Sequence, residues 1–187
     1  MVLIEDTRQQ AGKHRNIDAY CKRHGIELVR KKLDVGDYMV EGTAIAIDTK
    51  ADMQEVYSNL IHDHDRFRRE CMRAKENGIK LIVLVEEAGI TTLEDVKNWK
   101  NPRVEQYEWA VAHGYKGAKA PPISSKRLYG IMRTMEENYG IQFQFCHKRS
   151  TGKRIMEILS NDGLHDNGND SAERIGPGSG ESVGIES

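Results

Sequence analysis

The chain of 187 residues contains little cysteine and no long apolar run. Its three cysteines, Cys21, Cys71 and Cys146, are widely spaced and include no CxxC pair, which disfavours zinc or redox chemistry. No stretch approaches the roughly 18 apolar residues that would span a membrane. The N-terminal MVLIEDTRQQ lacks the basic and apolar regions of a secretory signal. We therefore expect free, reduced thiols in a cytoplasmic protein with no membrane partner.

Net charge is also nearly absent, at −1, but the charge is unevenly distributed along the chain. Residues 161–187 carry six acidic residues and one arginine, which leaves 27 basic and 23 acidic residues in 1–160. The mildly basic body is compatible with a nucleic-acid partner. The segment 161–187 is rich in Gly, Ser, Asn and Asp and lacks apolar periodicity, so we predict a disordered acidic tail.

Alternating strand and helix patterns predict one α/β domain over residues 1–160, with a central mixed sheet flanked by helices. The predicted strands are 2–5, 26–29, 38–40, 43–49, 79–85 and 141–146. The predicted helices are 14–24, 52–77, 124–138 and 151–160, with a short helix opening at Thr91. Residues 100–122 are expected to be irregular or partly helical.

The sequence GDYMVEGTAIAIDTK, residues 36–50, contains the candidate catalytic side chains. Because side chains alternate along a strand, Asp48 and Lys50 share one face, with Cα atoms roughly 7 Å apart. Asp37 begins the partner strand of a predicted hairpin and can approach Asp48. Converging carboxylates are tolerated when a cation lies between them, and Mg²⁺ prefers oxygen ligands. The pattern thus indicates a divalent metal at the two aspartates, with Lys50 beside the scissile phosphate.

A D-x-K motif alone is weak evidence for a catalytic site, because an exposed surface salt bridge is a simpler explanation of the same pattern. Asp6, at the end of the first strand, is a candidate metal ligand or a turn cap. Arg8 is a candidate partner for a carboxylate or for a phosphate.

Four short motifs, I-E-D-T-R-Q, L-D-V-G-D-Y, I-D-T-K and R-F-R-R-E, occur in an order that resembles the nuclease domain of XPF-type structure-selective endonucleases. Those enzymes belong to the PD-(D/E)XK superfamily. Asp6 and Arg8 match the family's D-x-R-E, residues 36–38 its G-D-Y, and Asp48 and Lys50 the acid and lysine of its E-R-K-x-x-x-D. The resemblance is good over 2–87, and it implies a restriction-endonuclease-like fold.

The chain departs from the family pattern at four motif positions. The departures are Gln9 for Glu, Asp48 for Glu, Thr49 for Arg and Gln54 for the last Asp. Because Gln54 is not a carboxylate, Asp52 or Glu55 is the candidate replacement, although Glu55 lies about 100° further around a helix. The resemblance then implies the metal ligands Asp37, Asp48, Asp6 and Glu55.

The resemblance implies a metal-dependent DNA endonuclease that uses Mg²⁺ or Mn²⁺ on branched or flapped DNA, as in a compact bacterial or phage relative. The alternatives are an inactive DNA-binding or scaffold module of the same fold, and a nuclease acting on duplex ends or RNA. A homodimer through 124–138 and the last helix is also expected. The candidate DNA contacts are Arg8, Arg66, Arg68, Arg69, Lys116 and Lys119.

Four aromatic residues are scattered through 99–115, namely Trp99, Tyr107, Trp109 and Tyr115. Exposed rings at such positions can stack on unpaired bases. We favour the alternative, in which this less regular region packs onto the domain.

Overall fold

A computed structural model describes residues 1–9, 15–115 and 120–160, and a six-stranded mixed sheet lies at its centre. The strands are β1 (Val2–Glu5), β2 (Glu27–Arg30), β3 (Tyr38–Val40), β4 (Ile45–Lys50), β5 (Lys80–Glu86) and β6 (Gln142–Cys146). Their order is β2-β1-β3-β4-β5-β6. The β1/β2, β4/β5 and β5/β6 pairs are parallel, and β3 is antiparallel to both β1 and β4. The predicted fold class is confirmed.

Helices cover both faces of this sheet. They are α1 (Arg15–Arg23), α2 (Met53–Ile61), α3 (His64–Glu76), α4 (Pro102–Ala112), α5 (Ser125–Tyr139) and α6 (Thr151–Leu159), with short 3-10 turns at Leu93–Asn98 and Lys148–Ser150. Ala46 of β4 belongs to the core beneath α2, α3 and α5, whereas Ile45 and Ile47 belong to the core beneath α1 and α6. Asp48 and Lys50 therefore emerge on the α2/α3 side, as strand alternation predicted.

The helix predicted over 52–77 is wrong as a single element, because α2 ends before His62 and α3 begins at His64. The backbone N–H groups of His62 and Asp63 both donate to the Ser58 carbonyl, at 2.8 and 3.0 Å, and this closes α2. The apolar spacing continues through Phe67 across the break, which explains why the sequence pattern read as one helix. The cap at Thr91 is also displaced by one residue, since Thr92 forms a capping box with Asp95.

All three cysteines are unpaired, as expected, with Cys21 and Cys71 buried and Cys146 half-buried. Within the described ranges, each helix is too short or too polar to cross a bilayer. The predicted tail over 161–187 lies outside the described residues.

Candidate active site

Asp48 and Lys50 form a buried ion pair at the end of β4. Asp48 is only 4% and Lys50 only 7% exposed. The Lys50 Nζ lies 2.8 Å from Asp48 Oδ1 and 2.7 Å from Oδ2, but only the first contact has hydrogen-bond geometry. Asp48 Oδ2 therefore has no hydrogen-bond partner among the described residues. The burial rules out the exposed surface salt bridge as an explanation of the D-x-K motif.

Asp37 is held beside this pair by side chains from two other motifs. Its Oδ2 accepts hydrogen bonds from the Thr49 backbone N, at 2.8 Å, and from Thr49 Oγ1, at 2.6 Å. Its Oδ1 accepts from the Gln9 side-chain amide. Gln9 and Thr49 are two of the positions at which the chain departs from the family pattern, and both departures contact the same carboxylate.

The surroundings of the ion pair disfavour the negatively charged form of Asp48. Burial raises the pKa of Asp48, Lys50 opposes that rise, and the carboxylates of Asp37 and Glu70 add to it. Burial would lower the pKa of Lys50, but the charge and hydrogen bond of Asp48, together with the carboxylates of Asp37 and Glu55, raise it. Lys50 therefore remains a cation near neutral pH, and additional positive charge would stabilise the ionised form of Asp48.

The donor set suits a hard divalent cation only in part. The Asp48 oxygen without a hydrogen bond and the nearby Asp37 carboxylate are ligands that Mg²⁺ prefers. Among residues 1–9, 15–115 and 120–160, no cluster of three or more His, Cys, Asp or Glu side chains is arranged to hold a metal. This arrangement fits an ion that takes two protein carboxylates and completes its shell with water and substrate phosphate.

The ion pair lies in a cleft of about 340 Å³. Its lining residues are Asp6, Arg8, Gln9, Gly36, Asp37, Asp48, Thr49, Lys50, Glu55, Arg66, Arg69, Glu70 and Arg73. The cleft thus gathers residues from the segment that follows β1, the β2–β3 loop, β4, α2 and α3. Acidic groups surround the ion pair, and arginines contribute a positive border from α3.

Asp6 and Arg8 lie in the cleft as a pair. Arg8 Nε donates to Asp6 Oδ2 at 2.5 Å, and Arg8 Nη2 donates to the Leu33 carbonyl at 2.6 Å. Arg8 was predicted to pair with either a carboxylate or a phosphate, and in the structure it pairs with the Asp6 carboxylate. Asp6 is therefore charge-balanced without a metal.

Asp52, Gln54 and Glu55, near the start of α2, make different contacts. Asp52 caps α2 by accepting from the Glu55 N–H at 2.8 Å, and Glu55 Oε2 accepts from the Ala51 N–H at 2.8 Å. Glu55, not Asp52, lines the cleft. The Gln54 amide instead donates to Asn101 Oδ1 at 3.3 Å, which directs it toward the N-terminus of α4.

The arginines predicted to contact DNA separate on α3. Arg66 and Arg69 line the cleft, and Arg73 joins them at the same helical spacing. Arg68 lies on another side, where its Nε donates to the Tyr139 hydroxyl at 2.9 Å. The predicted contacts Lys116 and Lys119 lie outside the described residues.

Sequence reasoning missed Glu70 and Arg73 as cleft residues. Glu70 Oε1 accepts the Gly36 N–H at 3.0 Å and so ties α3 to the turn that carries Asp37. The spacing of 66, 69/70 and 73, on a helix face about 100° from the buried Phe67 and Cys71, is a signal that could have identified both.

Gly36→Ala should destabilise the domain by about 3 kcal/mol or more. Gly36 has φ +72°, and a Cβ there would lie 2.9 Å from the Ile47 backbone oxygen. Gly42→Ala is the matched control, since Gly42 has φ +82° but nothing within 4 Å of its Cβ position. Urea denaturation should show the larger loss at Gly36. Equal losses would mean that the close approach to Ile47 does not constrain the site.

Residues 6–159 match the ERCC4 domain family. Two solved structures are similar, namely XPF from Aeropyrum pernix and XPF from Aeropyrum pernix in complex with DNA. Their TM-scores are 0.56 and 0.54, at 17% and 18% sequence identity over 87% of this chain. The match spans 65% and 64% of the length of those chains, and at such identity it shows the shared fold. No match is found among curated proteins.

Proposed function

This chain belongs to the ERCC4 domain family, and from that membership we propose that it is a metal-dependent DNA endonuclease. The observation that carries the proposal is the buried Asp48–Lys50 pair, with Asp37 beside it, in a cleft bordered by arginines. A buried ion pair contributes little net stability and is costly when imperfectly satisfied. An ion pair of this kind that lines a cleft is better explained by chemistry than by folding.

In the proposed mechanism Asp37 and Asp48 hold the divalent ion. When bound, Mg²⁺ or Mn²⁺ supplies charge that activates water and stabilises the phosphate. Lys50 remains protonated, because Asp48 raises its pKa, and its ammonium stabilises the charge that develops on the phosphate oxygens. Arg66, Arg69 and Arg73 contact the DNA backbone. Asp6 and Glu55, which line the same cleft, assist through water.

The proposed substrate is branched or flapped DNA, with two alternatives kept. An inactive DNA-binding or scaffold module would bind DNA without cleavage, and a different nuclease would prefer duplex ends or RNA. Cleavage assays on flap, junction, blunt duplex and RNA substrates with Mg²⁺, Mn²⁺ or EDTA distinguish them. We expect metal-dependent cleavage that is fastest on flap or junction DNA. No cleavage of any substrate supports the inactive module, and faster cleavage of RNA or duplex ends supports the second alternative.

Divalent metal binding should depend on Asp37 and Asp48. In Mn²⁺ titrations, Asp37→Asn/Asp48→Asn should bind at least about tenfold more weakly than wild type, because both proposed ligands lose their charge. Binding to wild type should also weaken as pH falls from about 8 to about 6, since burial raises the pKa of Asp48 and protons then compete with the metal.

The matched control for this titration is Asp63→Asn/Asp65→Asn, which removes the same charge from exposed positions at the start of α3. It should bind Mn²⁺ as wild type does. Equal binding by wild type and the Asp37/Asp48 variant would remove the assignment of the metal ligands.

We also propose that the chain forms a homodimer through α5 and α6, as XPF-type nuclease domains commonly pair. Light scattering at high micromolar concentration should give twice the mass of the 187-residue chain. A monomer under those conditions would contradict the pairing.

A further inference from the structure

Helix α4 carries a group of exposed aromatic rings. None of the residues in Pro102–Ala112, all of which are described, is buried. Trp109 is 55% and Tyr115 is 64% exposed, so the preferred expectation that these rings pack onto the domain is wrong for both. Trp99, in contrast, packs against the core, as expected. Large exposed aromatics are costly to hold in water, and clusters of them usually mark a binding surface.

The rings of Trp109, His113 and Tyr115 contact one another. The Trp109 and His113 rings are stacked, with centroids 4.2 Å apart and planes inclined by 24°. The Tyr115 ring lies 5.9 Å from that of Trp109. His113 Nδ1 is 2.8 Å from the Trp109 carbonyl, which fixes the imidazole in the stack. Together the three rings form a preorganised aromatic surface, which we call the ring platform.

The N-terminal end of α4, the helix that carries Trp109, is bound to α2, which contributes Glu55 to the cleft. Arg103 Nε donates to Gln54 Oε1 at 3.0 Å, while Asn101, the buried N-cap of α4, accepts from the Gln54 amide. The Arg103 guanidinium also lies over the Tyr57 ring, 5.3 Å from its centroid. Gln54 directly precedes Glu55, which lines the cleft. At 1.5 Å per residue, Trp109 is about 12 Å along α4 from this anchor.

The size of the exposed apolar surface favours a small flat ligand over a protein. The exposed parts of Trp109, Tyr115 and the half-exposed Val111 amount to about 300 Å², given that an aromatic side chain can bury about 150–250 Å². A stable protein partner typically requires about 800 Å² per side. Nucleobases match the platform better, because each presents a flat π-face to an aromatic ring.

We infer that the ring platform of Trp109, His113 and Tyr115 binds unpaired nucleobases of DNA beside the cleft. This inference rests on the proposed function in taking DNA as the ligand. It gives Gln54 a role in this chain, since the side chain that replaces the family's acid anchors the platform. It also supplies a reason for a preference for flapped DNA, because unpaired bases are available there and not in an intact duplex.

The test measures binding of a short fluorescein-labelled oligo-dT by anisotropy in Ca²⁺, so that it does not depend on cleavage. Trp109→Ala should weaken binding about tenfold, and Trp109→Ala/Tyr115→Ala further, because each ring contributes stacking energy. Val111→Ala is the matched control, since it removes exposed apolar area from the same helix but no ring. Its affinity should equal that of wild type.

A second readout uses the indole itself. Oligo-dT should quench wild-type tryptophan fluorescence, and Trp109→Phe should keep most of the affinity while losing the quench, because Trp99 packs against the core. Unchanged oligo-dT affinity in Trp109→Ala/Tyr115→Ala would overturn the inference, even if wild type cleaves DNA. So would equal weakening by Val111→Ala, or a change in oligomeric state in Trp109→Ala, which would assign the surface to a second copy. If the rings bind oligo-dT but no substrate is cleaved, the platform stands and the proposed nuclease fails.

Discussion

Asp48→Asn should abolish DNA cleavage, with a loss in rate on the order of 1,000-fold or more. The substitution removes the carboxylate that is buried next to Asp37 and that carries an oxygen without a hydrogen bond. The amide has nearly the same shape, and its oxygen can still accept from Lys50. The fold should therefore survive with some loss of stability, since the Lys50 ammonium loses its counter-charge, and the loss of cleavage should reflect chemistry.

DNA affinity separates this effect from a loss of binding. Measured in Ca²⁺, the affinity of Asp48→Asn should equal or exceed that of wild type, because one carboxylate that repels the phosphate is gone. Asp65→Asn, an exposed acid on α3, is the control and should cleave at the wild-type rate. Wild-type cleavage by Asp48→Asn would remove this carboxylate from the mechanism.

Lys50→Ala should reduce the cleavage rate on the order of 100-fold or more. The Lys50 ammonium acts on charge that develops as the phosphate is attacked, so its removal affects turnover more than binding. DNA affinity in Ca²⁺ should change by less than about tenfold, since one phosphate contact among several is lost.

Lys50 is buried, so its removal also leaves a cavity and an unpaired carboxylate. Lys50→Met is the second variant, because it keeps most of the side-chain volume near Phe67, whose ring centroid lies 5.9 Å from Nζ. Both variants should lose cleavage to a similar degree, while the thermal stability of Lys50→Met stays closer to that of wild type. Full activity in either variant would show that the lysine is not part of the catalytic site.

The centre of this site could be predicted from the sequence because strand alternation is a local rule. A period of two places Asp48 and Lys50 on one face and Ile47 on the other, whatever the rest of the chain does. The apolar run before Glu86 likewise predicted a central strand, and β5 is buried on both faces. Such patterns depend on neighbours in the chain, which the sequence shows directly.

The remainder of the site depends on contacts between distant segments. Gln9 and Thr49 meet through the Asp37 carboxylate, and no local period predicts that meeting. Glu70 reaches Gly36 across 34 residues. The break between α2 and α3 was also hidden, because apolar spacing continues through it. Side-chain exposure on α4 could not be read from composition, since aromatic residues occur both in cores and at binding surfaces.

The measurement that tests the central claim most directly is the rate of cleavage of a labelled flapped DNA by the wild-type protein in Mg²⁺. Asp48→Asn and Lys50→Ala are assayed in parallel, with binding of the same DNA measured in Ca²⁺. We expect wild type to cleave in Mg²⁺ and not in EDTA, and both variants to bind the DNA while cleaving at least about 100-fold more slowly. Cleavage by both variants at the wild-type rate, or DNA binding by all three proteins with no cleavage by any, would contradict an active site built on Asp48 and Lys50.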